Sequence, residues 1–284
     1  MSDPAGTASA PGRDLIDALL GARIVDLEQP RQMHAPVLPV HWPGHTFWLH
    51  RRHEPGPERR SGASGMIVTS EHAGTHVDAL CHQAYDMCMH GGVPVGPELQ
   101  GRHGFAELGL ETIAPLIRRG VLLDVAAAHA DPLPPGSAIT ADMLRETAAA
   151  QSVEIRPGSV VLVRTGYGAV WGDPPRYLRA AGVDRGGSEW LAQQGVFAIG
   201  ADNVVWDQPD VHDPELGCTL PGHVVLLVRA GIYIIENLLL EELAGIGARE
   251  FAFVCLPLKY QGGTGSPVRP VALVSAPAEP SEPS

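Results

Sequence analysis

The sequence predicts an α/β fold, a single layered domain with a β-sheet core and flanking helices. Two observations support this prediction. Several short runs of apolar, β-branched residues are continuous rather than alternating, as in strands that are buried on both faces. Segments with helix-capping residues lie between these runs, so helices and buried strands interleave along the chain, which is typical of layered α/β domains.

Six segments have the pattern of strands. Each is short, apolar and β-branched, and Gly, Pro or polar residues bound it. Most of them are apolar throughout, so we expect both of their faces to be covered. The six segments are residues 65–70, 121–125, 159–165, 196–201, 232–235 and 250–256.

Two helices are indicated by their capping residues. Thr140 is a suitable N-cap for residues 141–151, and Ser188 for residues 189–194, with Gly195 as the stop. Residues 220–230 fit either a helix or a strand, because a proline suits a first helical turn whereas the Val/Leu run suits a sheet. The Pro- and Gly-rich residues 30–65 are predicted as long loops, and such loops are often functional.

Length and composition indicate one folded domain. The chain has 284 residues, of which 44% are hydrophobic and 18% charged, enough for a sizeable core. Residues 1–13 and the Pro/Glu/Ser-rich residues 275–284 are predicted to be disordered, which leaves residues 14–274 as the domain. No apolar run approaches the ~20 residues of a membrane span, and we expect a cytoplasmic protein without a signal peptide.

The charge balance narrows the class of partner. Twenty Lys and Arg against 32 Asp and Glu give a net charge of -12, which repels phosphate backbones and anionic lipids. We therefore expect a small-molecule substrate, with neither nucleic acid nor a membrane as a partner. The 13 His are many for this length, and imidazole is both a common metal ligand and a proton carrier near neutral pH.

Three His and one Asp are concentrated in residues 71–82. His72, His76, Asp78 and His82 follow one another at intervals of four, two and four residues. On a helix, Asp78 would lie about 200° round from His76, so one ion could not bind all three of the first residues. In an extended chain all four side chains point to one side, and a bend at Gly74 shortens the distance from His72 to His76. The spacing predicts a bent strand or a strand-to-loop segment.

These residue types favour a divalent metal site. Two imidazoles and one carboxylate, from His72, His76 and Asp78, form the open three-ligand set of catalytic zinc. Such an ion lowers the pKa of a bound water molecule, and His82 is then a candidate general base or proton shuttle. The alternative is that these His are surface or core residues that are close by chance. Their density within eleven residues favours metal binding.

Residues 72–82 resemble the signature of the cyclase superfamily, His-x-Gly-Thr-His-x-Asp-Ala-x-x-His, which includes bacterial kynurenine formamidase and isatin hydrolase. The resemblance covers most of residues 20 to 274. Further blocks that resemble the superfamily are Asp26-Leu27, Trp42-Pro43-Gly44, Gly200-Ala-Asp-Asn203, Pro221-Gly-His223, Gly231-Ile-Tyr-Ile-Ile-Glu-Asn-Leu238, Pro257-Leu-Lys259 and Gly263-Thr-Gly-Ser-Pro267.

The resemblance implies a fold and a first metal site. It implies a mixed, curved sheet of the swivelling β/β/α type, and a homodimer or homotetramer. It further implies that His72, His76 and Asp78 hold a divalent ion and that His82 is the catalytic histidine.

The resemblance also implies a second ion. Asp78 would bridge the two ions, and His223 and Glu236 would complete the second site. The family often has a Glu ahead of this later His, where the present chain has Asp207. From the residues alone, Glu236 could equally be a solvated carboxylate at the end of a strand, although a buried one requires a partner or a metal.

We predict a metal-dependent hydrolase that cleaves an amide-type C–N bond in a small cyclic or aromatic substrate, such as a lactam, an imide or an N-formyl aryl amide. One or two ions of Zn²⁺ or Mn²⁺ suit the ligands. Trp42, Phe47 and Trp48 are candidates for an apolar wall against a substrate ring, because they lie in the loop-rich stretch; simple packing is the alternative.

Other functions are compatible with the same ligands. A lactone hydrolase of the same family is one alternative. A non-catalytic metal- or small-molecule-binding protein is another, although it would need no proton shuttle such as His82. An oxidoreductase could use two His and one carboxylate for oxygen chemistry. A serine nucleophile is disfavoured because the chain lacks a Gly-x-Ser-x-Gly elbow.

Overall fold

A computed structural model describes residues 11–275, and strands dominate it. Within this range, eleven strands have three or more residues, and eight strands of two residues each pair within the loops. In chain order the longer strands are β1 Ala22–Asp26, β2 His45–Arg51, β3 Ser64–Thr69, β4 His76–Asp78, β5 Leu116–Asp124, β6 Val160–Arg164, β7 Ala198–Ala201, β8 Tyr233–Glu236, β9 Glu250–Cys255, β10 Gly265–Pro267 and β11 Val271–Ser275. The short ones are Cys88–Met89, Val93–Pro94, Gln100–Gly101, Gly104–Phe105, Ala138–Ile139, Gly182–Val183, His212–Asp213 and Cys218–Thr219.

Within residues 11–275, nine strands form one mixed sheet in the order β1-β11-β9-β5-β6-β7-β8-β4-β10. The central strands β5, β6, β7 and β8 are parallel, and the strands on both sides of them are antiparallel. The predicted mixed sheet is therefore confirmed. Each of the six predicted strands is present, five of them in this sheet.

The continuous apolar pattern of the central strands follows from burial on both faces. Along β5, Val121 and Leu123 pack into the core on one face of the sheet, whereas Leu122 packs into the core on the other. Along β6, Val161 and Leu162 divide in the same way. Because neither face meets water, no polar alternation is visible in these segments.

The helices cover the sheet. They are α1 Pro11–Leu20, α2 Val125–Ala128, α3 Ala141–Ala150, α4 Pro174–Tyr177, α5 Arg185–Gln193, α6 Pro221–His223 and α7 Glu241–Gly245. A π-helix, Val224–Ala230, continues α6 directly, so the ambiguous residues 220–230 are helical from Pro221 onwards rather than a strand. Leu144 of α3, Leu191 of α5 and Leu226 of the π-helix share one core with the central strands.

The cap of α3 was predicted correctly, but that of α5 was not. The Thr140 side chain accepts a hydrogen bond from the Met143 N–H. For α5, the cap is Asp184, whose carboxylate accepts from the Gly187 N–H at 2.7 Å, and the helix begins four residues before residue 189. The prediction of Ser188 as the cap was wrong because two glycines at the true start resemble a helix breaker, while the Asp184 cap stabilises the first turn there.

The prediction of loops over residues 30–65 was wrong in part. Strand β2 lies within this stretch and pairs with β3 in an antiparallel hairpin, which we call the arm. Its strands are exposed along most of their length, so the two-stranded arm projects apolar side chains to the surface. The Pro and Gly residues around β2 obscured the strand in the sequence.

The ends of the described region differ slightly from the predicted domain limits. Helix α1 begins at Pro11, so three residues of the predicted N-terminal segment are helical, and β11 extends to Ser275. Residues 1–10 and 276–284, which include most of both predicted disordered segments, lie outside the described residues. Within residues 11–275, no helix is long and apolar enough to cross a lipid bilayer.

The register of β4 determines where the candidate site lies. This strand pairs with β8 on one side and β10 on the other. His76 lies opposite Glu236, the last residue of β8, and Asp78 lies opposite Gly265. The site is therefore at the carboxyl edge of the parallel strands, which is where α/β sheets generally place their ligands.

Candidate metal centre

The segment from His72 to His82 bends as predicted. A turn precedes β4, with Gly74 in the left-handed region at a φ of +67°, and a 3₁₀ turn, Leu80–His82, follows it. The bend brings one ligand atom each from His72, His76 and Asp78 within 4.8 Å of one another. His72 Nδ1 lies 2.8 Å and His76 Nε2 3.5 Å from Asp78 Oδ1. The convergence expected from the spacing is present.

His223 and Glu236 approach the same centre from elsewhere in the chain. His223 Nε2 lies 3.7 Å from Asp78 Oδ2 and 3.4 Å from Glu236 Oε1. Glu236 Oε2 lies 3.4 Å from His76 Nε2, as the pairing of β4 with β8 requires. Asp78 thus presents one oxygen to His72 and His76, and the other to His223. Glu236 is buried, so the alternative of a solvated carboxylate is wrong.

The outer nitrogens of two imidazoles are held by acceptors. His76 Nδ1 donates to the Gly74 carbonyl at 2.8 Å, and His223 Nδ1 donates to Asp207 Oδ2 at 2.6 Å. Because these partners have no proton to donate, Nδ1 carries a proton in both rings. In each ring the Nε2 atom is therefore the nitrogen that remains to bind a cation, and it faces the carboxylates.

Asp207 orients His223 through three contacts. Besides the imidazole, its carboxylate accepts from the Gly222 N–H and from the His223 N–H, the latter at 3.1 Å. These amides belong to the first turn of α6, whose N–H groups have no partner within the helix. Asp207 thus fixes both the ring and the turn that carries it, which identifies a role for the acidic residue at this position.

The charges of the centre fit a divalent cation. Among residues 11–275, Asp78 Oδ2 is one of the few buried side-chain oxygens without a hydrogen-bond donor. Burial and the neighbouring Asp78 raise the pKa of Glu236 to about 7. Burial disfavours the charged form of His223, but Asp207 and Glu236 outweigh it and raise its pKa to about 9. Two buried carboxylates, Asp78 and Glu236, thus lie together among imidazoles, and a divalent ion suits such a set of nitrogen and oxygen ligands.

His82 lies against the centre on its 3₁₀ turn. Its ring stacks on that of His72 with the centroids 4.0 Å apart, and a ring nitrogen lies within 4.8 Å of ligand atoms of Asp78 and His223. Burial, together with the surrounding imidazoles, lowers the pKa of His82 to about 3. The ring is therefore neutral at pH 7 and can accept a proton.

His41, which was not predicted from the sequence, also reaches the centre. It ends a 3₁₀ turn, Pro39–His41, and its ring centroid lies 4.8 Å from that of His72 and 6.1 Å from that of His82. Burial and His72 lower its pKa to about 4. The only signal in the sequence is its place directly before Trp42, because 30 residues lie between His41 and His72.

The three aromatic residues proposed for a substrate wall lie at the surface. Trp42 is 76% exposed, and Phe47 and Trp48 on β2 are 45% and 41% exposed. A mostly apolar cavity of about 580 Å³ lies between the arm and the chain before β10. Its lining within the described residues includes Ile67 and Tyr260 but none of the three aromatic residues. Their contact with substrate stays a prediction.

The sheet topology and the buried histidine–carboxylate cluster define an α/β protein with a candidate divalent-metal centre at a strand edge. Residues 25–208 match the model of a family described as "Putative cyclase", and the chain belongs to this cyclase family. The resemblance detected in residues 72–82 is thereby confirmed.

Individual proteins match over nearly the whole chain. Kynurenine formamidase of Bordetella petrii is 29% identical over 252 residues, which are 88% of this chain and 97% of that protein. The crystal structure of a novel cyclase has a TM-score of 0.77 at 27% identity and covers 93% of this chain and 92% of its own. Isatin hydrolase A from Ralstonia solanacearum shares the fold, with a TM-score of 0.74 at 24% identity over 95% of this chain and 99% of its own.

Proposed function

We propose that this protein is a metal-dependent hydrolase that cleaves an amide-type C–N bond in a small cyclic or aromatic substrate. The observation that carries the proposal is the convergence of three imidazoles and two carboxylates in a buried centre, with His82 stacked beside it. The likeness to a kynurenine formamidase over 88% of the chain supports an amide as the bond that is cleaved. A lactam, an imide and an N-formyl aryl amide all contain such a bond.

Asp78 divides the ligands into two sets. His72, His76 and Asp78 Oδ1 would hold the first ion; Asp78 Oδ2, His223 and Glu236 would hold the second. Zn²⁺ and Mn²⁺ both suit nitrogen and carboxylate ligands. When bound, such an ion polarises the scissile carbonyl and lowers the pKa of a water molecule.

The chain supplies the proton transfer. His82 stacks on His72 and lies close to ligand atoms of Asp78 and His223, so it is placed to take a proton from the attacking water and to return it to the leaving nitrogen. The rings of His41 and His82 both pack against the imidazole of His72. A substrate that reaches the centre beside His72 therefore contacts both rings, and His41 helps to orient it.

Metal analysis followed by a substrate panel tests the proposal. The protein, reconstituted with Zn²⁺ or Mn²⁺, is assayed on N-formyl anilides, isatin-type and γ-lactams, cyclic imides and lactones. We expect bound metal and turnover of at least one C–N substrate. Turnover of lactones alone would favour the lactonase alternative. Bound metal without any turnover would favour a binding protein, and oxygen consumption would favour an oxidoreductase.

The variant His82→Ala separates catalysis from binding. We expect it to retain the metal content of the wild type and to lose at least about 100-fold in kcat, because general acid–base catalysis contributes about 10²–10⁴-fold. Metal content by elemental analysis and kcat on the active substrate check this. Unchanged kcat would remove His82 from the mechanism.

We also propose that the protein is a cytoplasmic homodimer or homotetramer whose partner is its substrate rather than nucleic acid or a membrane. The net charge of -12 supports the exclusion of nucleic acid. The apolar side chains of the arm support self-association, because adjacent exposed apolar residues are typical of interaction surfaces.

A further inference from the structure

The outer nitrogen of His72 has a different partner from those of His76 and His223. His72 Nε2 lies 2.9 Å from the hydroxyl oxygen of Thr264, whereas the other two rings contact a carbonyl and a carboxylate. A hydroxyl group can either donate or accept a hydrogen bond. Thr264 alone therefore does not determine which nitrogen of His72 carries the proton.

Glu71 determines the direction of this hydrogen bond. The Thr264 hydroxyl donates to Glu71 Oε2 at 2.6 Å, and the Thr264 N–H donates to the same oxygen at 3.0 Å. A hydroxyl has a single proton, and a carboxylate can only accept. With that proton given to Glu71, the lone pairs of the Thr264 oxygen are left for His72, so Nε2 of His72 must be the donor.

We propose that Glu71 and Thr264 are positioning residues that hold a proton of His72 on Nε2, so that Nδ1, which faces Asp78, is the nitrogen that binds the ion. His72 Nδ1 lies 2.8 Å from Asp78 Oδ1, and an imidazole nitrogen binds a metal only when it carries no proton. The inference rests on the proposed function, because it takes His72 as a ligand of the first ion.

The alternative tautomer would close the site against a cation. With its proton on Nδ1, His72 would donate to Asp78 Oδ1 across the same 2.8 Å, which would occupy two of the three ligands of the first ion. Removal of the Thr264 hydroxyl favours this closed form because Nε2 loses its acceptor. Removal of the Glu71 carboxylate favours it because the Thr264 hydroxyl is then free to donate to Nε2. Outer partners of metal-bound His typically change metal affinity by about 10–100-fold.

The loop that carries Thr264 offers a matched control. Glu111 accepts a hydrogen bond from the Gly262 N–H at 2.7 Å, so Glu71 and Glu111 both anchor this loop, but only Glu71 accepts from the hydroxyl next to His72. Glu111→Met therefore weakens the anchoring of the loop but leaves the Thr264 hydroxyl donating to Glu71. Glu71→Met weakens the anchoring of the loop and also frees the Thr264 hydroxyl.

The first experiment measures Zn²⁺ affinity by competition with a fluorescent chelator. We expect Thr264→Val and Glu71→Met to weaken Zn²⁺ binding by about 10–100-fold, with Thr264→Ser and Glu111→Met close to the wild type. Circular dichroism verifies that each variant is folded. Wild-type affinity in a folded Thr264→Val variant, or a Thr264→Ser variant as weak as Thr264→Val, would overturn the inference.

A second measurement observes the proton directly. In the Zn²⁺-loaded wild type labelled with ¹⁵N-histidine, we expect an Nε2–H resonance of His72 that exchanges slowly with water, is retained in Thr264→Ser and is lost or fast-exchanging in Thr264→Val. A proton on Nδ1 of the Zn²⁺-loaded wild type would contradict the inference. If the wild type binds no Zn²⁺, the proposed function is wrong. If the wild type binds Zn²⁺ tightly and substitutions of Thr264 and Glu71 leave the affinity unchanged, only this inference is wrong.

Discussion

Each imidazole of the candidate centre is oriented by a different outer partner. A backbone carbonyl holds His76, a carboxylate holds His223 and a hydroxyl holds His72. A side-chain substitution cannot remove a backbone carbonyl, so the orientation of His76 depends less on neighbouring side chains than that of the other two candidate ligands. The other two rings depend on side chains and can be perturbed separately.

Replacement of Asp207 by Asn should release one ion. Both oxygens of the carboxylate accept hydrogen bonds, from two backbone N–H groups and from the ring of His223. Asn has an NH₂ group in place of one of these oxygens, and that group would face a donor in either orientation of the amide. We expect the ring of His223 to lose its fixed orientation and the metal content to fall from two ions per chain to one, with the first ion retained. Elemental analysis of Asp207→Asn measures this.

Asp184→Asn is the control for that experiment. Asp184 also accepts from a backbone N–H at a helix start, so its variant makes the same exchange of carboxylate for amide at a position that does not contact the centre. Equal metal content in Asp207→Asn and Asp184→Asn would mean that Asp207 has no part in ion binding.

At the scale of the element, the turn before β4 has a conformation that favours glycine. Gly74 has a φ of +67°, and a Cβ added there would lie 2.9 Å from Nη1 of Arg31. Gly74→Ala should lower the free energy of unfolding by about 1–2 kcal/mol, because other residues are strained in the left-handed region. It should also weaken metal binding, since the turn sets the position of His72 relative to His76. Urea unfolding and chelator competition measure the two effects.

Gly136→Ala separates backbone strain from damage to the site. Gly136 has a φ of +66° with nothing within 4 Å of its added Cβ. We expect a similar loss of stability and unchanged metal affinity in this variant. If Gly74→Ala also retained full affinity, the bend would not position the ligands.

Local features of the centre could be predicted from the sequence, but distant ones could not. The parity of His72, His76 and Asp78 is a property of one extended segment, and a glycine in that segment supplies the bend. The contact between His76 and Glu236 depends instead on the register of β4 against β8, which no local spacing encodes; the family resemblance implied only that Glu236 joins Asp78 and His223.

The errors have three different origins. His41 belongs to a turn that reaches the centre only through the tertiary fold, so only its place directly before Trp42 marks it in the sequence. Strand β2 was missed because its side chains are exposed on an arm, where no burial pattern marks a strand. The start of α5 was misplaced because glycine residues concealed a helix that the Asp184 side chain caps.

At the scale of the whole molecule, Glu241 makes stability depend on pH. Burial and the nearby Asp202 raise the pKa of Glu241 from 4.5 to about 7. Between these values the folded chain keeps a proton that the unfolded chain has lost, so the free energy of unfolding falls as the pH rises. Glu241→Gln should remove this loss and stabilise the protein at pH 8 by roughly 1–2 kcal/mol relative to the wild type.

Urea unfolding at pH 5 and pH 8 checks this expectation. Glu242→Gln is the control, because the Glu242 side chain is 50% exposed and pairs with Arg23 at the surface. The expectation fails if Glu241→Gln and Glu242→Gln lose the same stability between the two pH values.

The arm should determine the oligomeric state. Met66, Ile67 and Val68 on β3 are each about half exposed or more, and adjacent exposed apolar residues of this kind are typical of subunit contacts. We expect a dimer or tetramer for the wild type and dissociation in Ile67→Lys, measured by light scattering after gel filtration. Val211→Lys, a change at a separate exposed position, should leave the mass unchanged; an Ile67→Lys variant that keeps the wild-type mass would place the contact elsewhere.

Strand β4 has only three residues, yet it is hydrogen-bonded along both edges, to β8 and to β10. Its amide protons should therefore exchange with deuterium only when the sheet itself opens. After a chelator has removed the ions, β4 should therefore keep its place between β8 and β10, and metal ions should bind again without any refolding of the protein.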